Sequence, residues 1–222
     1  MIFGPSAVHG VLALTVDGIA LFSIAFSLLT AFAAPSVIKK RPFKSKIYPP
    51  VTILKPLKGA ETGLLENLRS FCEMDYPEFQ IILTVATPND PAASVAKKIK
   101  NQFPGLDIQI VFSGNNPPLG LNPKINNVSS AQPLIKHEFL MITDSDVRVQ
   151  KDFLKQMVEP LLNPQIGLVT SFYQGAQSLK FWPTMEALSI NAYFLPQAMT
   201  AYAYGMRFAM GAAMLIRRKK RY

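Results

Sequence analysis

The stretch that decides the fold is FLMITDSD, residues 139–146. Residues 139–143 form a short, largely apolar run that is typical of a strand buried on both faces of a sheet. An Asp-Ser-Asp triplet follows directly, and in extended backbone the side chains of Asp144 and Asp146 point the same way. Two carboxylates so placed can converge on one divalent cation, which could in turn hold a diphosphate. A solvated turn is the alternative interpretation of this short motif.

Outward from this stretch, strand patterns alternate with helix patterns. The predicted strands cover residues 51–55, 79–86, 107–112, 139–143 and 167–173, and the predicted helices cover residues 63–74, 91–103, 123–131 and 151–162. Such alternation predicts an α/β fold with a mostly parallel, doubly wound sheet. These sheets bind ligands at the carboxyl ends of their strands, near the point where the strand order reverses, so the loops after strands are the places to look for function.

Three of these loops carry further candidate residues, each with a structural alternative. Asp90 follows a strand and precedes a proline, so it suits a helix cap as well as a nucleotide contact. Lys55 ends the first predicted strand and Lys58 follows it, without the glycine spacing of a P-loop, and a lysine at a strand end is ordinary on a surface. The segment 122–127 combines Lys124 with three asparagines, which indicates either a polar helix start or a phosphate contact.

The positive charge of the chain lies in two short runs. Of 222 residues, 49% are hydrophobic and 17% are charged, which excludes a disordered protein. The formal net charge is +9, but residues 37–58 hold seven basic residues and the last nine residues hold five, with no acid in either segment. A nucleic-acid-binding protein more often spreads its basic residues over a folded face, so we expect no nucleic acid partner. One cysteine excludes a disulfide framework, and Cys72 fits a helix core better than a nucleophile.

The N-terminal segment has the composition of a membrane anchor. Residues 18–34 carry no charge and would rise about 25 Å as a helix, or roughly 36 Å if the helix starts at residue 11 and includes Asp17. Pro35 is expected to end this helix, and a basic linker follows over residues 35–50. Residues 1–10 contain no Lys or Arg, which argues against a cleaved signal peptide. The positive-inside rule then predicts a single-pass protein whose residues from 39 onward lie in the cytoplasm, with a buried core helix as the alternative.

A second apolar segment lies near the other end of the chain. Residues 181–204 are rich in aromatic and aliphatic side chains and carry one charged residue, Glu186. This composition indicates either a pair of core helices or a helix at a membrane interface, beside a lipid substrate.

Five motifs in one order resemble the ceramide glucosyltransferase family, and within it a bacterial branch linked to hopanoid-lipid glycosylation. They are VTILKPLKG (51–59), ENLRSFCEMDYPEFQIILTVATPNDPA (66–92), GLNPKINN (120–127), DSDVRV (144–149) and GLVTSFYQG (167–175). The resemblance implies a GT-A glycosyltransferase domain over residues 51–222, truncated at its C-terminal end, behind an anchor at residues 1–34. It further implies inverting transfer of glucose or N-acetylglucosamine from a UDP-sugar to a lipid hydroxyl of the ceramide or hopanoid type, at a bacterial inner membrane.

The resemblance also implies roles for single residues. Glu61 lies near the first acidic position on the nucleotide side, where relatives often carry Asp. Asp90 is expected to contact the uridine. Lys124 and Asn126 are expected to face the nucleotide-sugar.

The metal and the catalytic base complete what the resemblance implies. Asp144 and Asp146 are expected to hold the diphosphate through Mg²⁺ or Mn²⁺. No Asp or Glu follows Glu186, so the base that an inverting transfer needs is expected beyond Tyr222. A non-catalytic nucleotide- or partner-binding membrane protein and a non-functional fragment are the alternatives, and the oligomeric state stays open.

Overall fold

The computed structural model describes residues 5–38, 45, 48–115, 120–176 and 178–218. The helices are α1 (Pro5–Ile38), α2 (Leu64–Cys72), α3 (Pro91–Gln102), α4 (Pro123–Ser130), α5 (Phe153–Leu161), α6 (Phe181–Ser189) and α7 (Leu195–Ala203). The strands are β1 (Val51–Leu57), β2 (Phe79–Val85), β3 (Asp107–Phe112), β4 (Phe139–Thr143), β5 (Leu168–Thr170) and β6 (Ala213–Arg217). A π-helical turn at Ile190–Phe194 joins α6 to α7, and short 3₁₀ turns lie at Ser113–Asn115 and Gln132–Leu134.

By its contacts the chain forms two compact units. The first contains Met1–Arg41 and Phe172–Phe208, and the second contains Pro42–Ser171 and Ala209–Tyr222. The division of the sequence into an anchor, a linker and one catalytic domain stays a prediction.

The second unit is built on one six-stranded sheet in the order β3-β2-β1-β4-β6-β5. The strands β1 to β4 run parallel, whereas β6 runs antiparallel to both of its neighbours. This sheet confirms the predicted α/β class and the mostly parallel arrangement. The predicted strand at residues 167–173 is shorter in the structure, where β5 has three residues.

Both faces of the sheet are covered, which explains the nearly continuous apolar runs. Along β1, Ile53 packs into a large cluster with side chains of α2, α3 and α5, whereas Leu54 packs into a smaller cluster with α4 on the other face. Successive strand residues point to opposite faces, so both must be apolar in a central strand. Cys72 lies in the larger cluster, as predicted, and burial raises the pKa of its thiol to about 12.

Two elements extend past their predicted ends, which were residue 55 for the first strand and Pro35 for the first helix. β1 continues through Pro56 to Leu57 because its pairing with β4 stops at Leu54, so no ladder bond on that side needs the missing N–H. The first helix continues three residues past Pro35 to Ile38. A proline costs a helix one hydrogen bond and a local bend, which a long helix can absorb.

Candidate functional site

A cleft opens where β1 and β4 lie side by side, at their carboxyl ends. The chain adds β2 and β3 on one side of β1 and then returns to place β4 on the other, so the strand order reverses at this point. Loops leave in opposite directions there and make room for a ligand. The cleft has a volume of about 280 Å³ and is lined by Pro56, Leu57, Lys58, Glu61, Lys124, Asn127, Asp144, Ser145 and Asp146.

The two predicted carboxylates lie in this cleft. They follow the last residue of β4, and the backbone N–H of Asp144 donates to the carbonyl of Ala212, 3.1 Å away. The ammonium of Lys124 donates to the carboxylate of Asp144 in a short ion pair. Asn122 positions this lysine, because its side chain caps α4 by accepting from the backbone N–H of Lys124 at 3.0 Å. The ion pair is open to solvent, with side chains 47% and 35% exposed, so an entering ligand can exchange with it.

The turn that carries the carboxylates is held from below by two buried side chains. Lys55 is fully buried, and its Nζ donates to the backbone carbonyl of Asp144 at 2.6 Å. The amide of Asn67 donates to the carbonyl of Ser145 at 3.4 Å. Consecutive carbonyls of the Asp-Ser-Asp turn therefore have partners in the core, which fixes the direction of the carboxylates above.

Lys55 is not the ordinary surface lysine that a strand end suggests. Its Nζ lies 3.9 Å from the centre of the Phe71 ring, within cation–π range. Burial lowers the pKa of Lys55 to about 7, against the opposing effect of the Asp146 and Asp144 carboxylates. The Lys55 amine thus lies directly beneath the turn that carries the two acids.

Asp90 caps α3, as its position before a proline indicates. Its Oδ1 accepts from the backbone N–H of Ala92 at 2.9 Å and also from that of Gly59 at 2.8 Å. The second bond ties the loop after β1 to the N-terminus of α3, and the loop after β1 carries Glu61 into the cleft. Gly59 adopts a φ of 66° there, a conformation that other residues rarely adopt. The described lining of the cleft does not include Asp90, so its contact with a uridine stays a prediction.

The asparagine that lines the cleft is not the one named from the resemblance. The side chain of Asn126 bonds to the backbone of Gly120, accepting from its N–H at 3.2 Å and donating to its carbonyl at 2.9 Å. Its neighbour Asn127 lines the cleft and accepts from the hydroxyl of Ser113. Adjacent side chains of a helix point about 100° apart, so only one of two neighbouring asparagines can face the cleft. Which of the two does so is decided by tertiary contacts.

The donor set of the cleft fits a hard divalent cation. Within the described residues, no group of three or more His, Cys, Asp or Glu side chains gathers as a complete protein cage. Asp144 and Asp146 can supply two carboxylates and leave the other positions to water and phosphate oxygens. This is the coordination that Mg²⁺ prefers, and Mn²⁺ shares its preference for oxygen ligands.

Comparison with known proteins relates this chain to glycosyltransferases. A ceramide glucosyltransferase of Komagataella phaffii is 35% identical over 113 residues, which cover 50% of this chain and 22% of that enzyme. The match to the corresponding enzyme of Candida albicans is 34% identical over 157 residues and covers 66% of this chain and 28% of that enzyme. The chain therefore matches between 22% and 28% of the length of its first curated relatives.

A solved structure shares the fold. The mannosyltransferase PcManGT of Pyrobaculum calidifontis, in complex with GDP-Man and Mn²⁺, matches 90% of this chain and 55% of its own, with a TM-score of 0.61 and 19% identity. The likeness shows the GT-A fold. The family model named Glycosyl transferase family 21 matches residues 15–220, nearly the whole chain. The chain therefore belongs to glycosyl transferase family 21.

Proposed function

We propose that this chain is the donor-binding part of a membrane-anchored, inverting hexosyltransferase. It would transfer glucose or N-acetylglucosamine from a UDP-sugar to the hydroxyl of a lipid of the ceramide or hopanoid type. The observation that carries the proposal is the meeting of Asp144, Asp146 and Lys124 in one cleft at the reversal of the strand order.

The two acids and the lysine would bind the diphosphate of the donor. Asp144 and Asp146 would hold Mg²⁺ or Mn²⁺, which offsets the negative charge that grows on the leaving diphosphate. Lys124, which pairs with Asp144 in the structure, would donate to a phosphate oxygen when Asp144 serves as a ligand of the cation. Support comes from the solved neighbour, which binds a nucleotide-sugar together with Mn²⁺.

The nucleoside would lie toward the loop after β1. Glu61 lines the cleft from that loop, and Asp90 holds the loop through Gly59. Asp90 would contact the uridine with the carboxylate oxygen that is not used in these bonds. Asn126 would contact the nucleotide-sugar from α4 by exchanging its bonds to Gly120 for bonds to the ligand, beside Asn127 in the cleft wall.

The lipid acceptor and the membrane anchor rest on separate observations. The curated relatives are named ceramide glucosyltransferases, which supports a lipid alcohol as acceptor. In α1, His9–Ala33 is long and apolar enough to cross a membrane, with a mean hydropathy of 2.1. The basic residues that follow would keep the second unit in the cytoplasm, at the inner membrane of a bacterium.

Binding of the donor tests the proposal without requiring transfer. The full chain in detergent micelles would be titrated calorimetrically with UDP in the presence of Mn²⁺ and then of EDTA. We expect binding that depends on Mn²⁺, and roughly 10- to 100-fold weaker binding for Asp144→Asn and Asp146→Asn, because each loses a charge-assisted contact. Asp75→Asn is the matched control, since Asp75 is an exposed carboxylate that also pairs with a lysine, Lys155.

Two results would contradict the proposal. One is UDP binding of equal affinity in Mn²⁺ and in EDTA. The other is that Asp144→Asn, Asp146→Asn and the Asp75→Asn control all change the affinity for UDP to the same extent.

A further inference from the structure

The first unit exposes a large apolar surface. The helix α6, the π-helical turn and α7 follow one another without interruption, and within this stretch Trp182 is 78% exposed and Tyr193 is 67% exposed. We call the exposed side chains Phe181, Trp182, Leu188, Tyr193, Tyr202 and Tyr204 the aromatic surface. A core helix pair would bury such residues, so the structure favours the surface interpretation of this segment.

The aromatic surface is joined to the candidate membrane span by direct packing. α7 packs against α1 within the first unit. Residues 9–29 of α1 are exposed, whereas Thr30, Ala33 and Val37 are partly covered and lie on one side of its last turns. The contact therefore lies toward the C-terminal end of α1.

The position of this contact along α1 sets the level of α7, which carries Tyr202 of the aromatic surface. From His9 to Leu29 a helix rises about 30 Å, which is the thickness of the hydrocarbon core of a bilayer. With the hydrocarbon core beginning at His9, residues 30–37 would lie where the acyl chains meet the headgroups. Helix α7, packed at this level, would then lie at the same boundary.

The chemistry of the aromatic surface suits that boundary. Tyrosine and tryptophan combine a large apolar ring with a polar tip, so they concentrate where one side is apolar and the other is wet. The guanidinium of Arg207 lies 4.8 Å from the centre of the Tyr202 ring and can reach anionic phosphates. Residues 39–46, directly after α1, add five basic residues and no acid.

We propose that the aromatic surface lies in the headgroup region of the bilayer that α1 crosses, and that its occupant is phospholipid. The proposal rests on the membrane span of the proposed function but not on glycosyl transfer. It adds a second membrane contact, made by a segment more than 140 residues away along the chain.

The chain carries its own reporter for this contact, because Trp182 is its one tryptophan. The full chain would be reconstituted in vesicles of phosphatidylcholine and phosphatidylglycerol, and flotation would measure membrane association. Trp182 emission would then be recorded with lipids brominated near the headgroup, with lipids brominated deep in the acyl chain, and with acrylamide in the water. We expect stronger quenching by shallow bromine than by deep bromine, and at least threefold weaker quenching by acrylamide than in the urea-unfolded chain.

A second reporter controls for unspecific adsorption. In a Trp182→Phe background, Asn101→Trp places the tryptophan on an exposed polar position of α3 in the second unit. We expect acrylamide to quench this reporter strongly and brominated lipids to quench it weakly. Equal lipid quenching of both reporters would overturn the proposal.

The outcomes separate the two proposals. A chain that does not float with vesicles overturns both the membrane span and the aromatic surface contact. A chain that floats while acrylamide quenches Trp182 freely overturns the surface contact and leaves the span standing. Protection from acrylamide without quenching by bromine means that a protein, such as a second copy of the chain, covers the aromatic surface, and this also overturns the proposal.

Discussion

Lys55 carries an ionisable amine at a fully buried position, where burial disfavours its charged form. A lysine that is fully removed from water loses the hydration of its ammonium, and its depressed pKa reflects this cost. One carbonyl, one aromatic ring and two nearby carboxylates compensate for it in part. We expect a residue so placed to weaken the fold while it organises the turn above it, and mutation can separate these two effects.

We predict that Lys55→Met weakens Mn²⁺-dependent UDP binding by roughly 10- to 100-fold, as loss of a group that orients metal ligands typically does. We also predict that the free energy of unfolding is unchanged or higher, because methionine fills similar space without a buried charge. Calorimetric titration and denaturant unfolding measure the two quantities on the same variant.

The control for this variant is Lys97→Met, which changes an exposed lysine on α3. It should alter neither quantity. A Lys55→Met variant that loses binding only in proportion to lost stability would show that Lys55 supports the fold and not the site.

Lys124 would compete with a bound cation for Asp144. Its substitution should therefore change the affinity for the cation and the affinity for UDP in opposite directions. We predict that Lys124→Met raises the affinity for Mn²⁺ alone by a few-fold, because Asp144 is freed. It should lower the affinity for UDP in saturating Mn²⁺ by roughly 10-fold, because a charged phosphate contact is lost. Fluorescence or calorimetric titration with Mn²⁺ and then with UDP resolves the two steps.

The structure offers a closely matched control for Lys124 in Lys136. This lysine pairs with Asp107 at 2.6 Å, and its side chain is 55% exposed, compared with 47% for Lys124. Lys136→Met removes a similar exposed ion pair and should leave both affinities unchanged, with a small effect on stability. Effects of the same sign on both titration steps would contradict the exchange of Lys124 between Asp144 and phosphate.

At the scale of elements, the π-helical turn and Gly175 form one structural feature of the first unit. In the turn, the N–H of Leu195 donates to the carbonyl of Ile190, five residues back. The next residue, Pro196, has no backbone N–H and cannot donate the hydrogen bond of a regular helix. Asn191 projects from the turn and bonds to both backbone groups of Gly175, at 2.8 and 3.0 Å. The extended segment at Gly175 is thereby held against the helix.

We predict that Gly175→Ala destabilises the first unit by about 1–3 kcal/mol, the usual cost of overpacking. A Cβ on Gly175 would lie 2.5 Å from the Cα of Ala187, and neither backbone can move easily. Thermal unfolding followed by Trp182 emission reports on this unit. Gly167→Ala is the control, because a Cβ there meets no atom within 4 Å, and an equal effect of both variants would exclude the clash as the cause.

Local patterns predicted the elements of the second unit well and the special features poorly. Apolar runs gave the four parallel strands, because a strand buried on both faces leaves a strong signal in sequence. Whether β1 continues through Pro56 depends on which neighbouring strand needs a hydrogen bond there. Whether α1 continues past Pro35 depends on how much bending the helix tolerates. The bonds between Asn191 of the π-helical turn and Gly175 are tertiary contacts, which no local pattern contains.

At the scale of the whole molecule, the fold class predicted where the candidate site lies but not all of the residues that form it. A doubly wound sheet places its cleft at the reversal of strand order, and the Asp-Ser-Asp triplet lies there. The sequence held an unused signal for Lys55, since a lysine between apolar residues of a central strand must be buried. No signal separated Asn126 from Asn127, or joined residues 172–208 to the N-terminal helix, because these facts depend on tertiary contacts.

The distribution of charge along the whole chain predicts its orientation in a membrane. Residues 1–10 contain no Lys or Arg, whereas five follow α1 between residues 39 and 46, so the N-terminus should lie outside the cytoplasm. In a Cys72→Ser background, we predict that an impermeant maleimide labels Ser6→Cys on intact cells but labels Glu78→Cys only after lysis. Replacing Lys39, Lys40 and Arg41 with glutamine should reduce this difference, since it removes the charges that retain the second unit inside. Labelling of Glu78→Cys on intact cells would contradict the orientation, whichever reaction the enzyme catalyses.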